Sequence, residues 1–363
     1  MNKLLTIKNK LNGNDGLLSI LIVVVFICLT LFLGYYSNLV IPGNPDPNAR
    51  YLLEPTTHLD FMSEWDGPHY ISIAKYGYTN NALTAFFPLY PILIRLAMYV
   101  LRSPLISALF ISWACLVGAI YFYLKILREI ISKDRIENIM GVLLFLFFPT
   151  AVFLAATYTE SLYALTTLGA LYFGLKGKYI YAGLFTAMAT ATHPTGVFDI
   201  ALIAFLLYEN KKKIWQILTS MAIGCAGILA YISYLWYSKG KPLDFVSAQK
   251  HNHWLSGQYI NTIINSVTPI DLLLFALAIG SVIYWWNKKR SFSLYSLLYI
   301  ILPLAGGNVS GYSRYALMAF PIQFMLLNRF KNSRLAYPVI LIFSTVLWSY
   351  FVIHYAAGYT GGS

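Results

Sequence analysis

Long apolar segments separated by short polar turns make up most of this chain. The first runs through residues 17–41 without a charge and stops at a cluster of proline and glycine. A helix needs about 20 apolar residues to cross a bilayer, and only helices or closed barrels satisfy the backbone there. The pattern predicts an all-α polytopic membrane protein with eleven transmembrane helices near residues 17–41, 104–125, 137–156, 159–175, 179–192, 195–209, 214–238, 269–287, 291–307, 313–328 and 335–357.

Composition supports the same class. Hydrophobic residues make up 58% of the chain and charged residues 11%, whereas a soluble domain carries about 25% charged residues. The three cysteines lie inside apolar runs, which is typical of small buried side chains rather than of disulfides or metal ligands. No repeat or separate soluble domain is visible, so we expect a single integral membrane domain over residues 1–363.

The basic residues predict the orientation. The net charge is +12, and Lys and Arg sit in short loops, where they set topology rather than bind nucleic acid. Segment 86–101 is apolar but short and holds Pro88, Pro91 and Arg95. If it does not cross, eighteen of the 26 Lys and Arg residues share the N-terminal side; if it crosses, the bias reverses. The positive-inside rule therefore predicts an interfacial or re-entrant 86–101, with outer loops at 42–103 and 239–268.

In this topology the polar interruptions of the apolar pattern all fall on the outer side. The cytoplasmic loops hold little but charge. We therefore expect an active site at the outer membrane interface, built from residues near Asp66, Glu160, His193, Gln249 and Arg314.

Each candidate has a structural alternative. Asp66, ahead of Gly67 and Pro68, is either a helix cap or a functional carboxylate. Glu160 is either a first-turn acid favoured by the helix dipole or a site residue. His193 is a turn residue or a phosphate contact, and Arg314 opens an outer helix end, where a guanidinium suits an anion. The two nearby histidines at 251 and 253 lack an acidic partner and are a weak candidate for a metal site. We expect that no metal cofactor is required, and a divalent metal stays the alternative.

The motifs resemble the PIG-V family of membrane glycosyltransferases. The likeness runs in order through residues 64–321, and its first block is the most specific part. Its elements are Trp65-Asp66-Gly67 with His69-Tyr70, Gly77-Tyr78, Phe87-Pro88-Leu89-Tyr90-Pro91, Tyr158-Thr159-Glu160-Ser161, Pro194-Thr195-Gly196, Gln249 with Trp254, and Ser313-Arg314-Tyr315.

The resemblance implies a GT-C-like bundle that moves a hexose, mannose in the eukaryotic members, from a polyprenyl-phosphate donor to an acceptor hydroxyl on a lipid or glycan. It implies an acidic base in the first outer loop, which here is Asp66. We expect Arg314, His193 and Lys250 to bind the donor phosphate. We expect the substrates to contact Trp65, His69, Tyr70, Glu160, Gln249 and Trp254.

Short loops and no obvious retention signal favour a prokaryotic cell-membrane enzyme with its active site on the extracytoplasmic side. The partners expected are the donor, the acceptor and membrane lipid, and no nucleic acid. Two other protein classes are also compatible with many interrupted membrane spans. One is a lipid or sugar transporter or flippase, and the other is a structural subunit of a larger membrane complex. Transporters often show internal repeats, which this chain lacks.

Overall fold

A computed structural model of the chain describes residues 14–43, 58–251, 268–306 and 312–359. Within these ranges the regular structure is helical, without a strand. The α-helices are α1 Asp15–Val40, α2 Gly67–Tyr76, α3 Leu89–Leu101, α4 Pro104–Ile130, α5 Arg135–Leu146, α6 Val152–Ala155, α7 Glu160–Leu175, α8 Tyr179–Thr192, α9 Gly196–Glu209, α10 Ile214–Lys239, α11 Asp244–His251, α12 Pro269–Trp286, α13 Arg290–Gly306, α14 Tyr312–Met318, α15 Phe320–Phe330 and α16 Ala336–Ala356. Short 3₁₀ turns lie at Asp60–Met62 and Ala82–Ala85.

Five of the described helices are long and apolar enough to cross a membrane: α1, α4, α10, α12 and α16. They carry large apolar side chains on their outer surfaces, such as Phe32 on α1 and Ile283 on α12. Lipid tolerates such a surface because the helix satisfies its own backbone. The chain is therefore an all-α polytopic membrane protein, and the total of eleven spans stays a prediction.

Two segments expected as continuous helices are broken. Segment 137–156 stops as a helix at Leu146, ahead of Pro149, and resumes only as the single turn α6. Segment 313–328 divides at Ala319, whose backbone (φ −79°, ψ 63°) leaves the helical region before Pro321 in the first turn of α15. Proline lacks a backbone donor and is favoured in the first turn of a helix, where that donor would have no partner within the helix.

The two breaks are adjacent in the fold, and a hydrogen bond joins them: the Thr150 hydroxyl donates to the Ser313 carbonyl over 2.8 Å. They bring the start of α7 and the short helix α14 into one region.

Ion pairs show how the helices run. Arg128 near the end of α4 donates through both terminal nitrogens to Asp15 at the start of α1. Lys176, just after α7, lies 2.5 Å from Glu129 of α4. The start of α1 and the ends of α4 and α7 therefore share one side of the bundle. Glu160, the first residue of α7, lies toward the opposite side.

Helix α3 folds back against α4. Its 13 residues rise about 20 Å, less than the roughly 30 Å hydrocarbon core. Arg102 takes a left-handed conformation (φ 56°) that reverses the chain before α4. The Tyr90 hydroxyl donates to the Ala108 carbonyl (3.1 Å) and lies 2.7 Å from the Ser112 hydroxyl, so α3 packs as a hairpin on the first turns of α4. A straight helix of this length is shorter than the hydrocarbon core, and the place of segment 86–101 relative to the bilayer stays a prediction.

Candidate active site

Three charged side chains from distant parts of the chain meet in the region of the breaks: Asp66, Glu160 and Arg314, named here the charged triad. Arg314 Nη1 donates to Asp66 Oδ2 over 2.8 Å, and Arg314 Nε donates to Glu160 Oε1. The guanidinium carbon also lies 4.7 Å from the centre of the Tyr158 ring and 5.0 Å from that of Phe153. Two carboxylates and two aromatic faces thus hold one cation.

The backbone around Asp66 is held by Tyr158. The Tyr158 hydroxyl donates to the Glu64 carbonyl (3.0 Å) and accepts the Asp66 N–H (3.1 Å). Between these two residues, Trp65 has a left-handed backbone (φ 60°), a conformation that costs a non-glycine residue about 1–3 kcal/mol. The two hydrogen bonds to the Tyr158 hydroxyl, one on either side of Trp65, offset this local strain. They hold the backbone of Asp66 next to the segment that precedes α7.

Gly67 permits the close approach of this loop to the segment before α7. A Cβ atom at Gly67 would lie 2.3 Å from the Thr157 hydroxyl oxygen and 2.8 Å from that of Ser63. These two hydroxyls are themselves hydrogen bonded over 2.8 Å. The glycine of the Trp-Asp-Gly motif is therefore explained by packing, because a larger residue would displace the hydrogen-bonded side chains of Ser63 and Thr157.

The side chain of Asp66 does not cap α2. Asp66 occupies the N-cap position of that helix, but its carboxylate makes no capping hydrogen bond and turns to Arg314 instead. The alternative interpretation of Asp66 as a helix cap is therefore wrong for its side chain. The carboxylate of Asp66 instead forms an ion pair with Arg314 in this fold.

The two carboxylates of the triad differ in exposure. The Glu160 side chain is 4% exposed, while those of Asp66 and Arg314 are 21% and 18% exposed. Glu160 Oε2 is buried and, among the described residues, accepts no hydrogen bond. Glu160 thus lies behind Arg314, and Asp66 lies at the more accessible side of the triad.

The aromatic residues next to Asp66 pack rather than react. Tyr70 is buried against Phe86, Tyr90 and Tyr158. Its burial, and after that the charge of Asp66, raise the pKa of the Tyr70 phenol well above its usual range, so it stays protonated and is no base. The half-buried His69 ring lies 5.2 Å from Phe86.

Trp65 and His193 also border the triad. Trp65 is half-buried, and its Nε1 is buried without a hydrogen-bond partner among the described residues. His193, in the turn between α8 and α9, stacks on Tyr163 at 5.1 Å between ring centres, and its Nδ1 accepts the Thr195 N–H at 3.3 Å. Burial, and after that the Arg314 charge, lower the pKa of His193 to about 3. A neutral His193 brings no positive charge to a phosphate, so its predicted contact requires an Nε2–H donor.

Two other predicted residues lie on α11. That helix packs through Phe245 on Phe87, with ring centres 5.6 Å apart. Lys250 is exposed and Gln249 half-buried, and within the described ranges no hydrogen bond or ion pair joins either to the triad. Trp254 lies outside the described residues. The roles of all three stay predictions.

Sequence reasoning missed a buried hydrogen-bonded chain near His193. Asp199 Oδ2 accepts the Thr167 hydroxyl (2.6 Å), and its Oδ1 accepts the Tyr295 hydroxyl (2.9 Å). The Tyr295 and Tyr299 hydroxyls are 3.3 Å apart, and Tyr299 lies 3.1 Å from that of Tyr163. A carboxylate inside an apolar run is itself a signal of function or pairing, and Asp199 carried that signal.

The arrangement combines a cation on a rigid support with a carboxylate at the accessible side. Across the described ranges no group of three or more His, Cys, Asp or Glu residues is placed to hold a metal ion. The chemistry that these residues supply is anion binding by a guanidinium and proton acceptance by a carboxylate.

Comparison with known proteins bears on what this chemistry serves. Residues 53–246, more than half of the 363, match the family described as Mannosyltransferase (PIG-V). Similar proteins include "GPI alpha-1,6-mannosyltransferase 2" of Mus musculus, 28% identical over 51% of this chain and 40% of the relative, and that of Homo sapiens, 29% identical over 53% and 42%. "GPI mannosyltransferase 2" of Schizosaccharomyces pombe is 25% identical over 66% of this chain and 59% of its own length. The chain thus spans about two fifths of the mammalian relatives, and the matched family region contains Asp66 and Glu160 but not Arg314.

Proposed function

The chain belongs to the Mannosyltransferase (PIG-V) family, and we propose on that basis that it is a membrane glycosyltransferase. It transfers a hexose, mannose by analogy with the names of its relatives, from a polyprenyl-phosphate donor to a hydroxyl of a lipid or glycan acceptor. The observation that carries the proposal is the charged triad, where Arg314 and Asp66 meet at an accessible edge. The acceptor is left open, because the relatives share only part of their length with this chain.

The transfer needs one base and one anion site. The acceptor oxygen attacks the anomeric carbon of the sugar, and its proton passes to Asp66 as the new glycosidic bond forms. The bond between the anomeric carbon and the phosphate oxygen breaks, and its electron pair goes to that oxygen. The products are the glycosylated acceptor and the polyprenyl monophosphate.

Arg314 stabilises the charge that develops on the leaving phosphate. It stays cationic at any physiological pH and presents a planar fork that matches phosphate oxygens. Its backbone is held at Ser313, whose N–H donates to Asp271 Oδ1 (3.2 Å) and whose carbonyl accepts from Thr150. Such a fixed donor costs little reorganisation when the charge appears. His193 supplies a second donor through Nε2–H in this scheme, and Lys250 a more distant cation.

Sidedness supports a site on the outer face. The ion pairs of Asp15, Arg128 and Lys176 mark the side of the bundle that carries the basic loops, and the triad lies toward the other side. Basic loops are enriched on the cytoplasmic side. The lipid-linked sugar therefore enters from the outer leaflet, in a cell membrane if the chain is prokaryotic.

Turnover by the purified chain tests the proposal. The protein in lipid nanodiscs is given radiolabelled polyprenyl-phosphate-mannose and a lipid extract as acceptor, and transfer is followed by chromatography. Asp66→Asn is expected to slow transfer by roughly 10²–10⁴-fold, the usual effect of losing a general base. Glu129→Gln, the same chemical change in an ion pair on the other side of the bundle, serves as the matched control and retains the rate.

Two outcomes contradict the proposal in different ways. A folded Asp66→Asn protein with near wild-type transfer would exclude Asp66 as the base and make Glu160 the leading candidate. Movement of the intact donor across a vesicle membrane without transfer to any acceptor would instead identify a transporter.

A further inference from the structure

The charged triad is not neutral. It contains two carboxylates and one guanidinium. Arg314 donates a hydrogen bond through Nε to Glu160 and another through Nη1 to Asp66. Among the described residues no hydrogen bond uses Arg314 Nη2. The Glu160 contact is the buried one, and the Asp66 contact is the one at the accessible side. A phosphate that binds the end of the guanidinium in a two-pronged manner uses Nη1 and Nη2 together, so it competes with Asp66 for Nη1.

We propose that Asp66 stands in for the donor phosphate on Arg314 when the site is empty, and that the donor, on binding, displaces Asp66 and so releases it as the base. The inference rests on the proposed function and adds to it a coupling between donor binding and activation of the base. It also predicts the order of events: the donor enters before the acceptor hydroxyl is activated.

Electrostatics argues for this exchange. A phosphate oxygen and the Asp66 carboxylate would both lie against the same outer edge of one guanidinium. Two anions in contact with the same guanidinium repel each other strongly in a partly buried site, where the effective dielectric constant is lower than in water. Glu160 already places one buried carboxylate behind Arg314. The site accommodates a second anion readily but not a third, so Asp66 and the phosphate compete.

The geometry of the hydrogen bond argues in the same direction. Asp66 Oδ2 accepts a hydrogen bond from Arg314 Nη1 over 2.8 Å, so this oxygen is already occupied. When the donor takes the place of Asp66 on Arg314, the oxygen becomes free to accept the proton of the acceptor hydroxyl.

The architecture allows Asp66 to move while Arg314 stays. Arg314 is held by Glu160 and by the rings of Tyr158 and Phe153. The Asp66 side chain is held by no helix cap, so a rotation about its own bonds frees it from Arg314. The backbone hydrogen bond from Asp66 to Tyr158 is unaffected by that rotation.

The proposal predicts an effect opposite to the usual one for an active-site substitution. Coupling between two ligands of one group is reciprocal, so removing Asp66 as a competitor must favour the phosphate. Asp66→Asn is expected to bind a prenyl phosphate about tenfold more tightly than the unsubstituted chain, which corresponds to about 1.4 kcal/mol. Removal of a residue that holds the phosphate through a favourable contact would instead weaken binding.

The experiment measures binding of farnesyl phosphate to the full chain in nanodiscs at pH 7 by calorimetry. Farnesol serves as the uncharged probe, because it reports the prenyl tail alone. Asp66→Asn is compared with Glu129→Gln, whose exposed ion pair with Lys176 lies on the other side of the bundle. Asp66→Ala repeats the test with no side-chain amide near Arg314. The expected result is tighter farnesyl phosphate binding in both Asp66 variants, with farnesol binding and the Glu129→Gln protein unchanged.

The outcomes separate this inference from the proposed function. Equal or weaker farnesyl phosphate binding in the folded Asp66 variants, with phosphate-dependent binding intact in the unsubstituted chain, overturns the exchange and leaves the transferase proposal standing. If farnesyl phosphate and farnesol bind equally to every protein, Arg314 is no phosphate site and both proposals fall.

Discussion

Loss of Arg314 is expected to destabilise the protein mainly because it leaves Glu160 behind. Arg314→Met keeps the length of the side chain but removes the cation next to a carboxylate that is 4% exposed and has one oxygen without a described partner. Breaking a buried ion pair from one side costs about 3–5 kcal/mol. Loss of the stacking on Tyr158 and Phe153 adds roughly 0.5–1 kcal/mol each.

Removing the charges of Arg314 and Glu160 together is expected to lower the free energy of unfolding by much less than the sum of the two single substitutions. Glu160→Gln alone leaves Arg314 paired with Asp66 and is expected to lower the free energy of unfolding by about 1.5–3 kcal/mol, the range for one charge-assisted hydrogen bond. In Arg314→Met/Glu160→Gln the Glu160 carboxylate that would be left without its cation is removed as well. The double variant is therefore expected to be more stable than Arg314→Met alone by about 2 kcal/mol, a non-additivity typical of residues in direct contact.

The assay is unfolding by SDS titration in mixed micelles, followed by circular dichroism. The matched control cycle is Lys176→Met with Glu129→Gln, an ion pair whose side chains are 38% and 42% exposed. Solvent screening should make that pair additive within error. If the Arg314 and Glu160 changes also add, or if the double variant is the least stable protein, the view of Glu160 as a buried charge held by Arg314 is refuted. Transfer should not return in the double variant, because the phosphate site is still missing.

Two further predictions concern the donor and the topology. Arg314→Lys keeps the charge but loses the two-pronged geometry, so it should raise the KM for the donor about tenfold more than the KM for the acceptor; equal changes would argue against a phosphate role. Lys250→Cys, at an exposed position on α11 in a protein with its three native cysteines replaced, should react with an impermeant maleimide added outside intact cells. Labelling from the cytoplasmic side alone would reverse the proposed topology. Position 250 suits this test better than the neighbouring position of Ala248, because Ala248 is only 5% exposed and a cysteine there would be shielded from the maleimide.

The sequence by itself determined the class of the protein and the approximate positions of its helices. Apolar runs predict helices because lipid offers no hydrogen-bond partner to the backbone N–H and C=O groups. Each residue of an apolar run therefore has to pair its backbone groups within the helix. The run 179–192 is a helix with those same bounds, and 195–209 differs from Gly196–Glu209 by one residue. Asp66 and Arg314 were also visible in the sequence, because a charge beside an apolar run is costly enough to need a reason.

Only the tertiary structure decided what these charges contact. Asp66 and Arg314 are 248 residues apart, and no local pattern reports that a loop and a broken helix place them within 2.8 Å. The break at Ala319 needed the packed bundle to show it, since Pro321 alone is compatible with a kink or a new helix start.

The same holds for the surroundings of the triad. Tyr158 and Phe153 look like ordinary apolar residues in the sequence, but the fold places their rings against the Arg314 guanidinium. Asp199 lies inside an apolar run, and its partners Thr167 and Tyr295 come from two other helices. A residue's preference for lipid or water is a local property that the sequence carries. The partner of a polar group depends on which helix faces meet, and that is decided by packing across the whole chain.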